Sequence, residues 1–289
     1  MRVAVNGAHI FFDVAGTGWA VDELGVHPRP VLIGLHGGPG LDGTKHRYQL
    51  ARLADVAQVI VPDQRGHGRS DRSTPDRWNL ATWASDVKGL SDALGIDHPV
   101  VFGSSFGGFV AQKYAARYPD HPAGLILAGT CARIVGGEEL IERVRAVGGD
   151  EAADVVRRDL EASCEETLAE WKRVISPLTS VNPRPDPLLA VANAARIETF
   201  EVNVHWFETE GEGFAMDLRP ELRNVRCPTL VMIGEDDPLN PVSVAEEIVA
   251  AIPDGLARLE VIPNAAHELI MDNPELVYST MRTFISSLA

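Results

Sequence analysis

Pro99-Val100-Val101-Phe102-Gly103-Ser104-Ser105-Phe106-Gly107-Gly108-Phe109-Val110-Ala111-Gln112-Lys113-Tyr114-Ala115-Ala116 is the stretch on which the fold turns. Its opening apolar run has strand character, and from Phe109 onward it reads as a helix. Between them stands Ser105, with Gly103 two residues before it and Gly107 two residues after. A G-x-S-x-G pattern acquires chemical meaning only in such a strand–turn–helix context. The reversal is so tight that its central residue is forced into strained backbone angles. A Cβ two positions to either side would collide with the neighbouring strand or helix. The product is a hydroxyl held clear of the sheet edge, at the positive end of a helix. The plain alternative, a Gly/Ser turn without chemistry, is weakened by the flanking strand and helix.

Outward from this stretch the chain alternates strands and helices. Val3, Val5, Ile10, Phe12 and Val14 alternate around Asn6-Gly7, which predicts an antiparallel hairpin. A Gly/Pro-bearing loop is expected from there through Pro30. Val31–Leu35, Val59–Val61 and Leu125–Ala128 read as buried strands, and the apolar spacing of Leu80, Trp83, Val87, Leu90 and Leu94 predicts an amphipathic helix. Strand, loop and helix in repetition demand a parallel sheet with helices on both faces. The rhythm breaks near Ala132: residues 133–222 show helical patterns, many Glu and no strand. It resumes with strands at 227–233 and 259–262 and a closing helix through Met281 and Phe284. The expected organisation is therefore a core at 1–131 and 223–289, with a helical insertion at 132–222 lying over the sheet.

Bulk properties bound the partners. The 289 residues suffice for one large α/β domain, and 45% hydrophobic with 23% charged residues is ordinary for a soluble enzyme. A formal charge of −15 argues against nucleic acid or an anionic membrane as partner. Cys131, Cys164 and Cys227 lie far apart without a C-x-x-C pair, which speaks against a disulfide framework or a Cys-based zinc site. With no signal-peptide pattern at Met1-Arg2-Val3 and no apolar run of membrane length, the expected location is the cytoplasm. No H-E-x-x-H, Walker loop or G-x-G-x-x-G opening a first βαβ unit is present, so neither metal nor cofactor is expected.

Ligands of an open parallel sheet bind outside the carboxyl ends of its strands. A serine there needs a base, and the base needs a carboxylate to orient it. Ser105, then Asp237, then His267 appear in that chain order, each after an expected strand. Asp236 and Asp237 are adjacent and only one can point correctly; the Gly-x-x-Asp spacing from Gly234 favours Asp237. Of the other histidines, His36 and His67 also stand at strand ends, where holding their own Gly-rich loops is the expected role. An oxyanion hole would come from the backbone N–H of Phe106 and from the loop after Leu35, with Gly38 favoured and Gly37 second.

His36-Gly37-Gly38-Pro39-Gly40, Asp63-Gln64-Arg65-Gly66-x-Gly68-Arg69-Ser70 and Gly103-x-Ser105-x-Gly107-Gly108 together resemble the α/β-hydrolase superfamily over essentially the full chain. Within it the chain looks most like the proline iminopeptidase group, although such loops also occur in esterases and lactonases. The resemblance implies a mostly parallel eight-stranded sheet with helices on both faces, an inserted helical cap, and a small-molecule or short-peptide substrate cleaved at an ester or amide bond. It also implies cap acids that receive the substrate's amino terminus. By composition the candidates are Glu198, Glu201, Glu208, Glu210 and Glu212, whereas the W-x-x-W-E segment of those peptidases is absent around Trp171 and at His205-Trp206-Phe207-Glu208. The rival expectations are an esterase or lactonase for a small apolar acyl compound, and a ligand-binding protein that keeps the hydrolase scaffold without turnover.

Overall fold

The computed structural model describes residues 1–23, 25–208 and 211–288. Its strands are β1 (Arg2–Val5), β2 (Ala8–Ala15), β3 (Trp19–Asp22), β4 (Gly25–Pro28), β5 (Val31–Leu35), β6 (Gln58–Pro62), β7 (Val100–Ser104), β8 (Gly124–Ala128), β9 (Thr229–Gly234) and β10 (Ala257–Ile262). Eight of them form one sheet in the order β1-β2-β6-β5-β7-β8-β9-β10. From β6 to β10 all neighbours are parallel, while β1 and β2 add an antiparallel edge. The β1–β2 hairpin turns at Asn6 and Gly7 with φ of 48° and 79°, the left-handed pair that a two-residue turn requires.

The central strands are buried on both faces, so they show as continuous apolar runs; every residue of β8 and β9 is buried. One face is covered by α2 (Leu80–Leu94), α3 (Phe106–Arg117) and α10 (Val242–Ala251), through Trp83, Tyr114 and Ile248 against Val101, Leu127 and Val231. The other is covered by α1 (Thr44–Leu50), α11 (Leu269–Asp272) and α12 (Pro274–Ser286), through Leu50, Met281 and Phe284 against Phe102, Ile126 and Met232. Successive residues of β7 thus enter opposite cores, and full burial of a side chain such as Phe102 contributes about 2 kcal/mol.

The segment expected to be a loop through Pro30 instead contains the β3–β4 hairpin. Trp19, Val21 and Val26 in it are 61%, 78% and 68% exposed, so no buried face imposes a readable alternation. Between β8 and β9 lie α4 (Glu138–Glu161, kinked at Gly149), α5 (Glu165–Glu170), α6 (Pro187–Ala194), α7 (Phe200–Phe207), α8 (Glu212–Ala215) and α9 (Arg219–Leu222). The only strand-like pairing among the described residues of this insertion is a single bridge from Arg133 to Asp217. Among the described residues no helix is long and apolar enough to cross a membrane.

Candidate active site

Ser105 stands between β7 and α3 with φ 50° and ψ −118°, a conformation that costs a non-glycine residue about 1–3 kcal/mol. The flanking glycines make the turn possible. A Cβ on Gly103 would lie 2.4 Å from the Gly107 carbonyl oxygen in α3, and one on Gly107 would lie 2.3 Å from that of Leu35 in β5. The turn is pinned to the end of β8: the Ser105 N–H donates to the Ala128 carbonyl at 3.0 Å, and the Thr130 hydroxyl donates to the Ser105 carbonyl at 2.8 Å.

Asp237 and His267, brought from loops after β9 and β10, meet with Oδ2 and Nδ1 2.8 Å apart. The other carboxylate oxygen of Asp237 accepts the N–H groups of Leu239 and Asn240 at 2.8 and 3.0 Å, which fixes its orientation. Asp237 is buried while Asp236 is exposed. With the carboxylate at Nδ1, that nitrogen carries the proton and Nε2 is left as an acceptor. Burial pulls the His267 pKa down; the charge and hydrogen bond of Asp237 outweigh it, so the net shift is upward. The end of β8 links these residues too. Asn240 Nδ2 donates to the Gly129 carbonyl at 3.1 Å, and a Cβ on Gly129 would stand 3.5 Å from His267 Nδ1. Ala128-Gly129-Thr130 is thus a hub for Ser105, the Asp237 loop and His267.

The Gly-rich loop after β5 runs alongside. A Cβ on Gly37 would be 3.5 Å from Ser105 Cβ, and Gly38, at φ 133°, is the one of the two that keeps partial exposure. Phe106 opens α3, so its N–H has no acceptor within the helix. His36 and His67 hold loops: His36 Nδ1 donates to the Gly37 carbonyl at 2.9 Å while its Nε2 accepts the Gln64 N–H at 3.0 Å, and His67 Nδ1 donates to the Arg65 carbonyl at 2.9 Å. Burial lowers the pKa of both, that of His67 to about 3, so both are neutral. Arg65 in turn makes a buried two-point bond to Asp86, at 2.7 and 2.8 Å.

The insertion packs onto these same loops. Thr199 N–H donates to the Gly40 carbonyl at 2.8 Å, Asn203 Nδ2 to that of Pro39 at 3.3 Å, and Arg143 to those of Pro238 and Leu239 at 3.3 and 3.2 Å. Trp206 stacks on Phe109, with ring centres 6.3 Å apart, and meets Phe106 edge-on. The glutamates of the insertion named from composition make bonds elsewhere: Glu198 pairs with Lys172, Glu208 with His205, and Glu212 accepts the Leu80 N–H at the start of α2. Glu201 is exposed, and Glu210 lies outside the described residues.

Sequence reasoning missed a second layer around His267. Lys45 of α1 pairs with Glu268, and the buried Asp272 receives the N–H of Ala266 together with Ser180, Val181 and Asn182 of the insertion. No local pattern marks these residues, because their partners are far away in the chain.

Residues 30–274 match the alpha/beta hydrolase fold family. A proline iminopeptidase, PfmaB, from Pestalotiopsis fici is 26% identical, with 98% of each chain covered. Among solved structures, a proline iminopeptidase from Mycobacterium smegmatis superposes with a TM-score of 0.77 at 23% identity, covering 100% of this chain and 98% of the other. A thermophilic esterase from Thermogutta terrifontis superposes with a TM-score of 0.68 at 28% identity, covering 100% and 99%.

Proposed function

The chain belongs to the alpha/beta hydrolase fold family, and on that premise we propose that it is a serine hydrolase working by acyl transfer through Ser105. His267 Nε2 takes the Ser105 proton as the hydroxyl attacks the substrate carbonyl, and later returns a proton to the leaving group. Asp237 keeps the imidazole in the required tautomer and stabilises its charged form. The N–H groups of Phe106 and Gly38 hold the oxyanion, with Gly37 as the second choice for the latter. Water activated by His267 then releases the acyl group. What supports this reading above all is the strained Ser105 turn, attached to the same strand end as the Asp237–His267 pair.

The insertion at 132–222 acts as a cap, as its bonds to the loops after β5 and β9 suggest. For the scissile bond, the iminopeptidase-like relative favours an amide beside a free amino terminus. The engagement of Glu198, Glu208 and Glu212 elsewhere favours the second reading, an esterase or lactonase for a small apolar acyl group. A panel of proline arylamides, their amino-blocked forms, short aryl esters and lactones separates the two. Ser105→Ala is expected to abolish turnover with the fold intact, and persistent hydrolysis in that variant would sink the assignment. Labelling of Ser105 by a fluorophosphonate with no substrate turned over would point instead to a binding protein on this scaffold.

A further inference from the structure

Glu268 directly follows His267 and is held from three sides. Its N–H donates to the Thr179 carbonyl of the insertion at 2.8 Å, and its carbonyl accepts the N–H groups of Met271 and Asp272 at 2.7 and 3.1 Å. Its carboxylate meets the ammonium of Lys45, a buried residue in the first turn of α1. A buried ammonium and the carboxylate that meets it partner each other's charge. The pair is neutral as a whole; Glu268 is covalently next to His267, and its carboxylate holds the Lys45 ammonium at that same loop, so the two charges act on the imidazole with opposite sign.

We propose that Lys45 and Glu268 form a neutral ion pair that positions His267 and sets how readily its imidazole takes a proton. This rests on the reading of His267 as general base. The other groups facing the site differ in kind. Asp237 bonds Nδ1 directly, and Asp272 holds the backbone of Ala266. His46, beside Lys45, is driven by burial and by Lys45 to a pKa of about 3 and stays neutral. Cys131 is kept as a thiol by burial, and Arg143 of α4 pairs with Glu139 and donates to the carbonyls of Pro238 and Leu239. Lys45 and Glu268 are therefore the adjustable charges. Removing Lys45 leaves an unopposed anion beside the imidazole and favours its protonation; removing Glu268 leaves an unopposed cation and disfavours it. A role confined to packing would produce no such opposition.

The test follows the His267 ring proton resonance by NMR across pH in Ser105→Ala protein, where no turnover interferes. Lys45→Met should raise the titration midpoint and Glu268→Gln should lower it, each by about one pH unit. The double variant should return toward the starting midpoint, and Lys45→Arg should leave it in place. With Ser105 restored, the acid limb of kcat/KM for an aryl ester should move in the same directions. Should Lys45→Met fail to fold, Glu268→Gln carries the sign by itself. Midpoints that stay put, or that move the same way in both single variants, overturn the proposal. The titration reads the ion pair whether or not His267 is catalytic; activity surviving in His267→Ala would instead overturn the general-base reading.

Discussion

Asp272 accepts the backbone N–H of Ala266, the residue before His267, at 2.8 Å, and with the same carboxylate it binds the insertion at Ser180, Val181 and Asn182. One buried side chain thus ties the loop that carries His267 to residues 180–182 of the insertion. Asp272→Asn replaces an acceptor by an amide whose N–H₂ must face N–H donors. The expected cost is about 2–3 kcal/mol in unfolding free energy, read from urea denaturation, with a fall in kcat as the His267 loop loosens. An unchanged denaturation midpoint would show that the bonds are dispensable.

Gly107→Ala tests the turn from the other side. The added methyl would stand 2.3 Å from the Leu35 carbonyl oxygen and 2.7 Å from that of His36. Both obstacles are backbone, so neither can swing away. A destabilisation of about 3 kcal/mol is expected, together with loss of turnover through displacement of Ser105. Calorimetry and an ester assay on the same preparation check both.

Asp237→Asn should lower kcat/KM by about 10⁴-fold, because the amide no longer enforces the tautomer with Nε2 free. The pH profile adds a sign. On the proposed mechanism, general-base catalysis needs neutral imidazole, so the wild-type rate should rise through the His267 pKa, which lies above its ordinary value of 6.5 because Asp237 outweighs burial. In the Asn variant the residual activity should show its acid limb at lower pH. A limb that stays where it was would dissociate Asp237 from His267.

Stability in acid follows from Glu268, whose pKa is lowered from 4.5 to about 2 as the charge of Lys45 outweighs burial. Because the folded value is the lower one, its contribution is present above 4.5 and disappears as pH falls toward 2. Unfolding free energy measured between those limits should decline less steeply in Glu268→Gln than in the wild type. Equal slopes would mean that the pair adds nothing to folding.

How much of this was legible in the chain depended on where the physical constraint is written. Val100–Phe102 and Leu125–Ala128 announce themselves because parallel strands buried on both faces have to be apolar throughout. The Ser105 turn shows because its backbone tolerates only glycine at 103 and 107, a demand made within a few residues. The β3–β4 hairpin was illegible for the converse reason: Val21 and Val26 face water, so burial leaves no alternating pattern there.

By itself the sequence determined the alternation of strands and helices and the tight glycine-flanked turn at Ser105, both consequences of local periodicity and steric need. The Gly-x-x-Asp spacing already favoured Asp237 over Asp236, and what belonged to the tertiary structure was the burial of that carboxylate against His267 with its neighbour left in solvent. So did the fate of the insertion's glutamates, the Lys45–Glu268 pair and the bonds of Asp272. Charges have no period in the chain. Lys45 and Glu268 are 223 residues apart, and only the packing of α1 against the loop after β10 turns them into a pair.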